Sequence, residues 1–152
     1  MTLEHPIMTR LIFLLAFVVG VVAAGTPAVA QQPGGLRVEF QGPGGHSYGN
    51  YGRVSALHAA ARTVVLMQKA LPAGSYQITN LTGGNSVNAI ASDGLIELKV
   101  TVTSAAAYKA LVSAVTKAAA EGAAAENAFR GVKTGDLTNG APATVRFSVT
   151  PF

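Results

Sequence analysis

One histidine stands out as a residue that can do chemistry. His46 lies inside the stretch Gly42 to Arg53, GPGGHSYGNYGR, surrounded by glycines. An imidazole can donate or accept a proton, or hold a metal. The glycines let the backbone take positive φ angles and let another molecule come close to the main chain. Taken alone, the run also fits a plain strand-to-helix connection, since a single His in a glycine loop is not a catalytic signature. A second candidate segment, GGNSVNAI, begins at Gly83 and carries Asn88, whose amide can bind an oxygen or cap a turn. Tyr48 and Tyr51 flank His46 and suit either a ligand stack or a protein seam.

The rest of the inventory excludes much. Acidic residues beyond the N-terminal segment, namely Glu39, Asp93, Glu97, Glu121, Glu126 and Asp136, are scattered without metal-ligand spacing. The absence of cysteine excludes disulfides and thiolate metal sites. Eleven Lys and Arg against seven Asp and Glu give a formal charge of +4, spread without clusters. That distribution describes a solvated surface and argues against nucleic-acid binding. With 152 residues, 49% hydrophobic and 12% charged, the chain suits one domain with a real core.

The N-terminus reads as an export signal. Arg10 precedes an apolar run from Leu11 to Val22, and Ala28, Val29 and Ala30 form an A-x-A site. The run is shorter than the ~20 residues that span a bilayer, which favours cleavage after Ala30 over a retained anchor. The expected organisation is a signal peptide over 1–30, a short linker over 31–35 and one domain over 36–152. The mature protein would be secreted or periplasmic, with no membrane association after cleavage, and only His46 and His58 would remain as histidines. His58 falls within a helix and reads as a surface or packing residue.

The elements that must position these residues alternate in type. Leu36, Val38 and Phe40 alternate with polar neighbours as a first strand running into the glycine loop. Val54, Leu57, Ala61, Val64 and Leu71 predict a helix over 53–70, stopped by Pro72 and Gly74. A second strand is expected over 75–82, and a third where Ile96, Leu98, Val100 and Val102 alternate with polar residues. Ser104 is a candidate N-cap for a second helix, with Tyr108, Leu111, Val112, Val115 and Ala119 as its apolar stripe. Its alanine-rich end near Asn127 buries little and is expected to fray. Val145, Phe147 and Val149 mark a last strand. The order β-α-β-β-α-β, with one apolar face per element, predicts an α+β fold: a ferredoxin-like two-layer sandwich with a four-stranded antiparallel sheet and two helices on one face.

The string GPGGHSYGNYGRVSALHAAAR followed by GGNSVNAI resembles the dimerisation, or lid, domain of the zinc peptidases that include aminoacylases, carnosinases, glutamate carboxypeptidases and succinyl-diaminopimelate desuccinylase. The resemblance covers roughly Leu36 to Phe152 and implies the same fold. It implies a homodimer formed through edge strand 75–82 and helix 53–70. It implies that His46 stabilises an oxyanion in the partner's zinc site and that Asn88 binds a substrate carboxylate or carbonyl, with Gly45, Ser47 and Gly84 beside the same substrate. The chain departs from such enzymes in lacking their H-x-D motif and Glu-Glu pair, and it reads Lys99-Val100-Thr101 where relatives often carry D-x-R. Zinc is therefore expected only in a separate catalytic domain, with no cofactor in this chain. Three readings follow: an exported non-catalytic self-association module that binds a peptide or acylated amino acid, a split subunit of a zinc amidohydrolase supplying His46 in trans, or a structural subunit of an edge-to-edge assembly.

Overall fold

Alternating apolar side chains on short β-branched and leucine-rich segments need a partner layer to cover them, and two amphipathic helices supply it. The computed structural model describes residues 34–152. The segment expected to be a signal peptide, and the first residues of the expected linker, lie outside the described residues. In chain order the elements are β1 (Gly35–Gln41), β2 (Gly45–His46), α1 (Ser47–Asn50), α2 (Ala56–Ala70), β3 (Tyr76–Thr82) and β4 (Ala89–Ile90). There follow β5 (Asp93–Val100), α3 (Ala105–Phe129), β6 (Leu137–Thr138), β7 (Ala141–Pro142) and β8 (Arg146–Pro151). β1, β3, β5 and β8 form one four-stranded sheet in the order β3-β5-β1-β8. Each neighbouring pair is antiparallel. This is the ferredoxin-like arrangement, with α2 and α3 as the two helices of its second layer.

Register aligns the apolar faces. Leu36 stands opposite Leu98 and Val38 opposite Ile96, and all four are fully buried. Phe40 pairs with Phe147 on β8, their ring centroids 6.3 Å apart. α2 lies mainly against β5 and α3 against β8, and the two helices pack on each other along most of α2. The outer sheet face is polar: Arg37 donates to Glu97 at 2.7 Å, and the Asn80 amide donates to the same carboxylate at 3.3 Å. Those two bonds, with the Arg37 charge behind them, hold the Glu97 carboxyl below the usual carboxylate range.

Four boundaries differ from the sequence expectation. β1 begins at Gly35, inside the segment read as linker. α2 begins at Ala56 rather than at residue 53, because Ser55 caps it by accepting the His58 N–H at 3.3 Å, while Val54 turns into the core. β5 begins at Asp93 and ends at Val100, so Val102 lies beyond it. The Gly94 within it leaves no room for a side chain, since a Cβ there would stand 2.6 Å from the Ala56 carbonyl oxygen. The end of α3 is pinned rather than frayed. The Asn127 amide accepts from Val145 N–H at 2.8 Å and donates to its carbonyl at 3.3 Å, as a strand neighbour would. Among the described residues no helix is long and apolar enough to cross a membrane.

Candidate functional site

The glycine loop closes on the second motif through a small ladder of its own. Gly45 pairs with Ile90 and His46 with Ala89, and Ser47 N–H donates to the Asn88 carbonyl at 2.8 Å. The glycines make this possible. Gly44 and Gly45 have φ of +62° and +131°, and a Cβ on Gly45 would stand 2.7 Å from the Asn50 amide nitrogen. Arg53 braces the loop by donating to the Gly44 carbonyl at 3.1 Å.

His46 caps the single-turn helix α1. Its Nδ1 accepts the Tyr48 N–H at 3.2 Å, and its carbonyl accepts from the Asn50 amide at 2.8 Å. Nδ1 is therefore the unprotonated nitrogen of the neutral ring, and Nε2 carries the hydrogen. Nε2 lies 3.1 Å from the Asn88 side-chain amide. Two donors cannot face each other, so the consistent arrangement presents the Asn88 amide oxygen to Nε2–H and its NH2 to the neighbouring Ser86 hydroxyl. The structure thus joins His46, Asn88, Ser47 and Gly45 in one exposed polar cluster. Gly84, with φ of +76°, turns the chain after β3 and lines a separate shallow depression with Leu57 and Val87. Tyr48, Tyr51 and Val87 stand bare around the cluster, Tyr48 at 94% exposure.

Sequence reasoning missed Glu126. Its carboxylate is fully buried on α3 and accepts from Ser55 N–H at 3.1 Å, Arg62 Nε at 3.1 Å and Arg130 Nε at 3.3 Å. His58 Nδ1 lies 3.7 Å away. The Arg62 and Arg130 guanidinium carbons lie 5.1 and 4.9 Å from the ring centroid of Phe129. The signal was present as two i, i+4 pairs, His58 with Arg62 and Glu126 with Arg130, each on one helix face.

A zinc site needs three or four His, Cys or carboxylate ligands. Among the described residues no group of three or more His, Cys, Asp or Glu is placed to hold a metal ion. The surroundings of His46, an amide, a hydroxyl and backbone N–H groups, do not fit one.

Fold and loop geometry define a lid-type module, and the comparisons agree. Residues 33–127 match the model of the peptidase dimerisation domain family, more than half of the chain, and the chain belongs to that family. Similar solved structures include the aminobenzoyl-glutamate utilization protein from Klebsiella pneumoniae, at 17% identity and a TM-score of 0.57 over 79% of this chain and 28% of that one. An amidase of the hydantoinase/carbamoylase family from Burkholderia multivorans matches at 17% identity and TM-score 0.56, over 78% of this chain and 26% of its own. A tripeptidase from Staphylococcus aureus matches at 14% identity and TM-score 0.50, over 80% and 32%. The chain therefore spans only about a quarter to a third of these proteins' length. No curated protein matches it.

Proposed function

We propose that this chain is an exported, non-catalytic self-association module that pairs with a second copy of itself through β3 and α2. The observation that carries this reading is the open edge of the sheet. β3 pairs with β5 on one side only, exposes Leu81, and lies on the flank of the molecule covered by α2, which exposes Val65. The opposite edge, β8, carries Pro151, which has no N–H to give a new ladder. A bulge between Ile78 and Asn80 twists β3, so a partner strand would follow that twist rather than lie flat. Sedimentation velocity is the test. A dimer for the native chain and a monomer for Leu81→Asp support the reading, and a native monomer at high concentration overturns it.

In this reading the His46–Asn88 pair meets the carbonyl or carboxylate of a peptide or acylated amino acid. The incoming oxygen takes the Nε2–H bond from Asn88, whose amide rotates to donate as well. Export rests on the segment before residue 31 and is checked by whether the exported protein begins at Gln31. The bare Tyr48, Tyr51 and Val87 around His46 favour a second reading, in which the loop enters a separate zinc-carrying catalytic chain and His46 stabilises an oxyanion there. A defined catalytic chain whose amidase activity requires this protein, and is lost with His46→Ala, would replace the first reading with the second.

A further inference from the structure

Next to the β2–β4 ladder, whose Ala89 and Ile90 line it together with Ser47, the molecule holds a cleft of about 260 Å³. Its walls include Tyr51, Arg53, Ser55, Leu57, His58 and Arg130. We propose that this cleft is a binding site for a small carboxylate with an apolar body. It goes beyond the self-association reading and does not depend on it.

The charge balance comes first. Arg53 and Arg130 line the cleft, and the one carboxylate behind it, Glu126, pairs with Arg62 and Arg130, is fully buried and does not line the cleft. Three guanidiniums, those of Arg53, Arg62 and Arg130, against that one carboxylate leave a net charge of +2 in and behind the cleft before His58 is counted. Donors remain unused as well. Among the described residues Arg130 gives only its Nε to an acceptor and Arg53 only one terminal nitrogen. A guanidinium has five N–H groups, so most of both forks remains for a carboxylate oxygen.

Ser55 adds an independent pointer. It lines the cleft at 5% exposure, and its hydroxyl oxygen accepts the His58 N–H. Its own O–H finds no acceptor among the described residues, and a nearly buried hydroxyl without one calls for a partner. An anionic oxygen in the cleft would satisfy the hydroxyl and both guanidiniums together. Leu57, Ile90 and Ala91 give the same cleft an apolar side, and Tyr51 gives it an aromatic rim. A bare anion such as sulfate would leave those surfaces unused, whereas an N-acylated amino acid or a peptide C-terminus would cover them.

Amide-resolved NMR titration of the full chain tests this with three probes: N-acetyl-L-leucine, its uncharged amide N-acetyl-L-leucinamide, and sodium sulfate. The expected result is saturable shifts at the Ser55, His58 and Ala91 amides with N-acetyl-L-leucine, in roughly the millimolar range. The uncharged amide should bind at least about tenfold more weakly, since it loses the charge-assisted bonds. Sulfate should also bind more weakly. Arg53→Gln should weaken N-acetyl-L-leucine about tenfold while keeping the native spectrum outside the cleft and the Gly44 loop that Arg53 braces, because Arg53 does not touch Glu126. Lys69→Gln, at the far end of α2, should change nothing. No saturation at those amides, equal affinity for the uncharged probe, sulfate binding as tightly as N-acetyl-L-leucine, or an Arg53→Gln variant that binds like the native chain each overturns the proposal. Saturation at His46 and Asn88 instead would overturn it in favour of that pair. None of these outcomes alters the sedimentation result that judges self-association.

Discussion

Glu126 has no contact with water, yet it accepts from three donors on two helices. Its negative charge lies at the N-terminus of α2, where the helix dipole favours an anion, and one of its bonds goes to the Ser55 N–H. Glu126→Gln keeps the shape and removes the charge. Arg62 and Arg130 are partly exposed and can rehydrate, so the loss should be about 2 kcal/mol, below that of a fully buried pair that loses one member. Urea denaturation of the two proteins measures it. A variant as stable as the native chain would mean that the carboxylate contributes nothing net to folding. The sequence hid this residue because a lone acid in an alanine-rich helix reads as solvated, and only the i, i+4 pairs on both helices mark it. The segments that carry His46 and Asn88 were legible as two glycine-rich motifs in order along the chain. Their mutual contact was not, because it depends on a two-residue ladder too short to leave a periodic pattern.

At the scale of elements, period-two alternation located β1 and the core of β5 because both strands bury one face and wet the other. The start of β5 escaped because glycine reads as a turn, whereas Gly94 is there for the close approach of α2. The same steric logic governs the helix pair. Gly122 on α3 faces Ala59 and Thr63 of α2, and a Cβ there would press on the Thr63 side chain and stand 2.9 Å from the Ala59 carbonyl oxygen. Thr63 already donates its hydroxyl to that carbonyl at 2.9 Å, so neither group can yield freely. Gly122→Ala would gain about 1 kcal/mol of helix propensity. Overpacking costs about 1–3 kcal/mol and a backbone oxygen is a poor cushion, so net destabilisation should result. Thermal unfolding decides the sign: a raised midpoint would mean that the helices separate at little cost.

On the scale of the whole molecule, the sheet has two unequal edges around a protected centre. β1 and β5 are paired on both sides and carry Leu36, Val38, Ile96 and Leu98 with no exposure, so their amides should exchange with solvent only on global unfolding. In an isolated chain, the β3 amides that do not bond β5 face water and should exchange fast. Self-association through β3 would give those same amides a partner. Their protection should then rise with protein concentration and fall back in Leu81→Asp, while the outward amides of β8, blunted by Pro151, should exchange at one rate throughout. Hydrogen exchange measured at two concentrations therefore reads the interface strand by strand, where sedimentation reads only its existence. Concentration-dependent protection confined to β8 would move the interface to the opposite edge, away from α2, and would leave the His46 loop placed by a different pairing.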